Sequence, residues 1–219
     1  MNRVVLLVCL AFALTNPAHA DADAPATIPL EKLFTGYDEY LEASARRMLT
    51  IAPVYSLSAK LARPEEVELT FDYEGQRIMF RPDADGRIRF RPSAAMLEAN
   101  PDVETNQPRG TLAMTLTVDV VMVARNRYAI PELHDRVHRA WGEAKSFRGG
   151  LSLFAARHSG LLVHFPANCT DRKWMITRRG NVVASGAKET TFTIDFGEKE
   201  IRRADQLLLA CRPDRFTLN

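Results

Sequence analysis

The sequence predicts a mainly β, α+β fold with an N-terminal antiparallel β-meander or sandwich domain containing a helix, a connecting helix, and a small C-terminal β-sandwich. Three observations predict this fold. Apolar and polar residues alternate from Glu66 to Tyr73, as in a strand with one buried face. A helical apolar stripe follows Pro131, and behind it come short apolar runs separated by glycine-containing turns. The predicted domain boundaries are 21–130 for the N-terminal domain, 131–150 for the connecting helix and 151–219 for the C-terminal domain.

The first twenty residues have the organisation of a cleaved signal peptide. Arg3 provides a positive start, residues 4–14 are apolar, and Ala18-His19-Ala20 is the small-x-small pattern that signal peptidase cuts. The apolar run is shorter than the roughly twenty residues needed to span a bilayer. We therefore predict that residues 1–20 are removed and that the remaining 199 residues act in the periplasm or are secreted.

Charge and hydropathy exclude two classes of protein. Residues 1–20 contain one basic residue, Arg3, and no acidic one, so the net charge of +2 falls to near +1 after cleavage. Nucleic-acid-binding domains normally carry a strong basic excess, so we predict no nucleic-acid partner. No later stretch approaches the roughly eighteen apolar residues of a membrane span, so no transmembrane segment is predicted after cleavage. The expected partner is a protein or another envelope component.

The N-terminal domain is predicted to begin with an irregular segment, a helix and an edge strand. Residues 21–29 lack apolar periodicity, which indicates a disordered or extended lead-in. Apolar residues at helical spacing predict a helix within 36–48. Residues 50–60 contain Pro53, which suits an edge strand because proline cannot donate a ladder hydrogen bond.

The alternating segment begins an antiparallel meander. Glu74-Gly75 predicts a turn after the first strand, and residues 76–80 continue the apolar face on a second strand. The Asp-Ala-Asp-Gly sequence at 83–86 predicts another turn, followed by a third strand at 87–91. One side of this meander is therefore expected to be covered and the other to face solvent.

A capped helix, a loop and a long strand complete the predicted domain. Ser93 is the predicted N-cap of a short helix that ends at Asn100-Pro101, and residues 106–110 are predicted to form a loop. Residues 111–123 alternate and are rich in β-branched side chains, which predicts a strand. We expect this strand to pair with the meander and to close the core of the domain.

The connecting helix is predicted from a single apolar stripe. Pro131 suits the first turn of a helix, and Gly149-Gly150 lie just past the predicted end. The stripe consists of Leu133, Val137, Ala140, Trp141 and Ala144.

Six short apolar runs predict the strands of the C-terminal domain. They lie at 161–165, 174–176, 182–183, 192–196, 207–209 and 216–218. Their spacing predicts an immunoglobulin-like or transthyretin-like β-sandwich. After leader cleavage the remaining cysteines are Cys169 and Cys211, which we predict to form a disulfide that closes a loop of about 40 residues. A free thiol nucleophile is the alternative interpretation.

The spacing of His134 and His138 leads to a metal-site hypothesis. Two histidines at i and i+4 lie on one face of a helix, a spacing that can chelate Zn²⁺. The five residues from His134 to His138 resemble the zincin metalloprotease motif, with Asp135 at the position of the Glu base. The resemblance implies a metal-dependent hydrolase, in which His158 is the candidate third ligand. A non-catalytic metal site and a solvated helix face are the other interpretations.

An arginine face is the second hypothesis. Five arginines are predicted to share the exposed side of the meander: Arg77, Arg81, Arg87, Arg89 and Arg91. Guanidinium groups suit phosphate, sulfate or an anionic envelope polymer. A tight first hairpin also places Asp72 opposite Arg77, and Glu68 opposite Arg81, so a partly neutralised, solvated surface is the alternative. The three arginines of the third strand are expected to lack such partners.

Catalytic motifs do not accompany these two features. The sequence contains no Gly-x-Ser-x-Gly pattern, no phosphate loop and no dinucleotide fingerprint. We therefore predict a periplasmic or secreted accessory or interaction protein without catalytic activity or cofactor. The alternatives are a metal-binding protein or metal-dependent hydrolase centred on His134 and His138, with zinc as the metal, and the binding of an anionic envelope polymer by the arginine face.

Overall fold

A computed structural model describes residues 25–147 and 160–219. The described chain is mainly β, with several antiparallel sheets and a β-sandwich-like architecture, which confirms the predicted fold class. The predicted leader at 1–20 lies outside the described residues. The helices are α1 (Leu30–Leu33), α2 (Tyr37–Arg46), α3 (Ala94–Ala99), α4 (Ile130–Ser146) and α5 (Lys199–Arg202). None of these helices combines the length and apolarity needed to cross a membrane.

Thirteen strands are described, and they form three sheets. In chain order they are β1 (Pro25–Pro29), β2 (Ile51–Ala59), β3 (Leu69–Tyr73), β4 (Gln76–Phe80), β5 (Asp102–Pro108), β6 (Leu112–Val120), β7 (Arg127–Ala129), β8 (Gly160–His164), β9 (Trp174–Arg178), β10 (Asn181–Gly186), β11 (Thr191–Asp195), β12 (Gln206–Leu209) and β13 (Arg215–Leu218). The strand orders are β1-β5-β3-β4, β10-β9-β12-β7 and β11-β8-β13-β6-β2.

The described chain divides into two compact units. Unit 1 contains the described residues up to Leu41 together with Val54–Leu116. Unit 2 contains Glu42–Pro53 and the described part of Thr117–Asn219, and therefore includes α4. The chain passes between the units three times, inside α2, inside β2 and inside β6. The domain boundaries expected from the sequence, 21–130, 131–150 and 151–219, divide the chain into consecutive segments, whereas these units interleave. Those boundaries stay a prediction.

Unit 1 is built around a cluster of aromatic rings. The alternating side chains Leu69 and Phe71 of β3 are buried, as the periodicity predicts. Phe34 directly follows α1, Tyr37 begins α2, and β2 adds Tyr55. The rings in mutual contact are Phe34, Tyr37, Tyr55, Phe71, Phe80 and Phe90. These contacts anchor both helices on the covered side of the β1-β5-β3-β4 sheet.

Several local predictions for unit 1 are confirmed. The hairpin of β3 and β4 turns at Glu74-Gly75, where both residues have positive φ as a type I′ turn requires. The Ser93 side chain accepts a hydrogen bond from the Met96 N–H, and α3 ends at Asn100 in the left-handed conformation. Helix α2 and strand β2 also lie within the predicted segments, and β2 is an edge strand.

The predicted third strand of the meander is wrong. Residues 87–91 make two isolated bridges, Ser56 with Arg87 and Pro82 with Ile88, and no regular strand. The reason is that this segment pairs with β2, through Leu57 N–H to Gly86 O at 2.7 Å and Ile88 N–H to Tyr55 O at 2.9 Å. After the turn at 83–86 the chain therefore makes single bridges to β2 and to Pro82, and it adds no third strand beside β4.

Strand β5 was not predicted from the sequence. It lies between β1 and β3, although residues 106–108 were predicted to be loop; β1 itself agrees with the extended form of the lead-in that was predicted to be disordered or extended. Strand β6, expected to pair with the meander, instead lies between β13 and β2 in the five-stranded sheet.

Unit 2 confirms the apolar stripe of α4 and the positions of the C-terminal strands. All five stripe residues are buried, with Ala140 and Ala144 fully so. The six predicted runs correspond to β8, β9, β10, β11, β12 and β13. The predicted disulfide is also present: Cys169 is bonded to Cys211, with the two Cα atoms 6.2 Å apart. It closes the chain across four strands, from β9 to β12.

Candidate binding surfaces

The histidine pair lies on α4 as predicted, one turn apart. The His134 side chain is 43% exposed, its ring contacts Phe196 at 5.4 Å between centroids, and its Nδ1 lies 3.9 Å from the Asp135 carboxylate. His138 is exposed. His158 lies outside the described residues, and within them no group of three His, Cys, Asp or Glu side chains is placed to hold a metal ion. A site at His134, His138 and His158 therefore stays a prediction.

Arg77 and Arg81 are held by carboxylates on the outer side of the β1-β5-β3-β4 sheet. Arg77 lies opposite Asp72 in the register of β3 and β4, as predicted, and its guanidinium is 3.4 Å from that carboxylate. It also donates to Glu104 Oε2 at 2.6 Å, and hydrogen bonding to Glu104 raises the pKa of Arg77. Arg81 forms the predicted ion pair with Glu68. We call this surface the ion-paired face.

The other three arginines do not share that face in the expected way, because they do not form a strand. Arg89 pairs with Asp83 at 2.9 Å, which corrects the expectation that it lacks a carboxylate partner. Arg91 donates to the backbone oxygens of Ile88 and Phe90. The Arg87 N–H donates to Asp83 Oδ1 at 2.9 Å. A turn built around Asp83 thus organises this part of the predicted arginine face.

The outer side of the β10-β9-β12-β7 sheet has a different character. Its inward side chains, among them Ile176 and Leu207, are buried, whereas Val182 is 56% exposed and Met175 is 40% exposed. The strand registers place two rows of outward positions side by side: Arg127, Leu208, Met175 and Ser185, and next to them Ala129, Gln206, Thr177 and Val182. We call this surface the open face.

The open face carries one charged residue. That residue is Arg127, which is exposed and has no carboxylate within ion-pair distance among the described residues. None of the eight positions is acidic. The surface therefore combines three large apolar side chains, one alanine, three uncharged polar side chains and one cation.

Sequence reasoning missed a polar chain on the five-stranded sheet. The Thr217 hydroxyl donates to Asp119 Oδ1 at 2.7 Å and lies 3.0 Å from His164 Nε2. Because a hydroxyl has one proton, His164 Nε2 is the donor in the second hydrogen bond. Thr217 is only 5% exposed, so this chain ties β6, β13 and β8 together rather than presenting a hydroxyl to a substrate. The sequence signal was weak: each residue occupies a polar position in an alternating strand.

Comparison with known protein families, curated proteins and solved structures finds no match to this chain.

Proposed function

We propose that this chain is an exported interaction protein that acts outside the cytoplasm without catalysing a reaction. The observation that carries the proposal is the Cys169–Cys211 disulfide, since a bond between a lone pair of cysteines far apart in sequence is typical of proteins that fold in an oxidising compartment. The leader pattern at residues 1–20 supports the same location. The open face supports an interaction role, because it exposes apolar side chains together on one sheet.

Intact-mass spectrometry of protein isolated from its natural host tests the export step. We expect a chain that begins after Ala20, with no thiol that reacts with iodoacetamide before reduction. A chain that begins at Met1 and is alkylated at Cys169 and Cys211 without reduction contradicts the proposal.

A screen for hydrolysis of peptide, ester and phosphate substrates by the mature chain tests the non-catalytic part. We expect no turnover above that of a heat-unfolded control. Turnover that a single side-chain substitution abolishes, in a variant that remains folded, contradicts it.

Zinc binding is the second candidate function, favoured by the two histidines one turn apart on α4. Metal analysis of the purified mature chain separates it from the first. Stoichiometric zinc that is lost in the His134→Ala/His138→Ala double variant supports a metal site. Zinc content at background level, unchanged by the substitutions, removes this candidate.

Binding of an anionic envelope polymer is a third candidate, supported by the number of arginines between Arg77 and Arg91. An anion would have to compete with the carboxylates that already hold Arg77, Arg81 and Arg89. Salt-sensitive retention on a heparin matrix that is lost when Arg87, Arg89 and Arg91 are replaced by Gln supports it. Retention that the substitutions leave unchanged removes it.

A further inference from the structure

The open face is the side of its sheet opposite buried side chains such as Ile176 and Leu207, and it exposes Met175 and Val182. Three of its side chains are large and apolar, and they are neighbours across the strands, because Leu208 lies opposite Met175 in the register of β12 and β9. Val182 follows on the adjacent strand β10, opposite Thr177. Exposed apolar side chains that lie together on one sheet more often form a contact surface than apolar side chains that are scattered singly.

The positive charge of the open face favours a ligand that carries a negative charge. Arg127 lies opposite Leu208, at one end of the row that contains Met175, so a ligand that covers the apolar side chains also meets this guanidinium. On the ion-paired face, by comparison, Glu104 and Asp72 surround Arg77. A carboxylate supplied by a partner would give Arg127 the contact that Arg77 already has.

The size of the open face argues against a second folded copy of this chain. Its eight positions span about 14 Å across the strands and about 7 Å along them. Even with a margin of neighbouring side chains, the area enclosed by these two lengths is well below the roughly 800 Å² per partner that stable complexes of folded proteins bury. A short segment of polypeptide covers such an area.

Polar side chains between the apolar ones favour polypeptide over lipid. Thr177, Gln206 and Ser185 alternate with the apolar positions, and hydrocarbon would leave their hydrogen-bonding groups without partners. The backbone and side chains of a peptide can satisfy them.

We infer that the open face docks an acidic amphipathic segment of another polypeptide, with apolar side chains against Met175, Leu208 and Val182 and a carboxylate against Arg127. This inference rests on the proposed interaction function and names the chemistry of the partner.

The test uses the full mature chain and two synthetic peptides of equal length, one alternating leucine with glutamate and one alternating leucine with lysine. Binding is measured by fluorescence anisotropy of labelled peptide. We expect the acidic peptide to bind, the basic peptide not to bind, and Met175→Asp and Arg127→Glu each to weaken the acidic peptide about tenfold. No binding of the acidic peptide, or binding that neither substitution weakens, overturns the inference.

Matched controls come from unit 1. Met79→Asp changes a methionine that is 57% exposed on the ion-paired face, and Arg109→Glu reverses an exposed charge in a loop. Both should leave the affinity within about twofold of the unaltered chain. A loss as large as that of Met175→Asp also overturns the inference. Circular dichroism shows whether each variant is folded, and Val182→Asp replaces Met175→Asp if the latter is not.

A membrane surface is the competing occupant. Sedimentation with phosphatidylglycerol vesicles that Met175→Asp and Arg127→Glu abolish, without binding of the acidic peptide, overturns the inference in favour of lipid. If the docking inference is disproved, the proposed export and interaction function still stands. That function is tested separately, by the intact-mass and turnover measurements.

Discussion

The outer faces of the two four-stranded antiparallel sheets differ in the surroundings of their arginines. On the ion-paired face of unit 1, Arg77 reaches three acceptors, Asp72 and Thr70 on β3 and Glu104 on β5. On the open face of unit 2, Arg127 lies opposite Leu208, Met175 follows on the next strand, and none of the eight positions is acidic. Similar sheet geometry thus produces one surface whose arginine is paired with carboxylates and one whose arginine has no carboxylate partner among the described residues.

The two units also differ in what holds them together. The described residues of unit 1 include no cysteine, and the unit depends on its aromatic cluster and on close backbone contacts such as that of Gly86 with Leu57. Unit 2 is cross-linked by Cys169–Cys211.

The largest expected effect is that of removing the disulfide. Cys169→Ser/Cys211→Ser frees a loop with a sequence separation of 42 residues, and the chain-entropy model gives a loss of about 4 kcal/mol. Hydrogen exchange of the amides in β9 and β12 measures the free energy of opening. An exchange rate unchanged from that of the cross-linked chain would show that packing alone holds unit 2.

The second effect concerns Gly86 in unit 1. Its φ is +79°, and an added Cβ would lie 2.3 Å from Leu57 O. Gly86→Ala should lower the free energy of unfolding by about 3 kcal/mol, because it combines left-handed strain with loss of the contact to β2. Urea unfolding measures the loss.

Gly75→Ala is the matched control for that change. Gly75 has a φ of +74°, but no atom lies within 4 Å of an added Cβ. We expect a loss of about 1 kcal/mol from the strained φ alone. Equal losses in the two variants would mean that the close approach of Gly86 to Leu57 contributes nothing.

The third effect concerns the pH dependence of unit 1. Burial raises the pKa of Tyr55 well above its ordinary value of 10.0, and its hydroxyl donates to Thr35 O at 2.9 Å. Because the folded-state pKa is the higher one, this stabilisation is complete below pH 10 and is lost as the pH rises above it. Tyr55→Phe should lower stability by about 1 kcal/mol at pH 7 and should flatten its decline between pH 10 and 11.

The measurement is a series of urea unfolding curves from pH 7 to 11. Tyr37 and Tyr128 also have pKa values raised by burial, so part of the decline should remain in the Tyr55→Phe variant. A slope above pH 10 equal to that of the unaltered chain contradicts the assignment to Tyr55.

The smallest expected effect concerns the ion-paired face. The Arg77 and Glu104 side chains are 53% and 55% exposed, so their attraction is strongly screened by water. Arg77→Gln should change the free energy of unfolding by less than about 1 kcal/mol, and by less still in 1 M salt. A loss above about 2 kcal/mol, measured by urea unfolding, would mean that this face has a structural role that the exposure of its charges does not explain.

Local sequence patterns were sufficient for elements that depend on their own residues. The alternation of β3, the Glu74-Gly75 turn and the stripe of α4 predicted their structures, because period and turn chemistry act over a few residues. The register of that hairpin also predicted the pairing of Arg77 with Asp72.

Long-range pairing explains what the sequence did not predict. Strand β5 buries Val103, Thr105 and Gln107, of which only one is apolar, so its alternation carries little hydrophobic signal. Its role as the partner of β3 is what places Glu104 against Arg77. The pairing of Ile88 with Tyr55 likewise depends on a strand more than thirty residues earlier. The open face was not predicted because the cross-strand neighbours of Met175 depend on the order of β7, β12, β9 and β10.

Nuclear magnetic resonance of the isotopically labelled mature chain, titrated with the alternating leucine–glutamate peptide, compares the two faces in one experiment. We expect shifted amide resonances in β9, β10 and β12, around Met175, Val182 and Leu208, while those of Arg77 and Met79 stay in place. Shifts centred on β3 and β4, or no shifts at any concentration, would contradict the claim that the open face is where a partner binds.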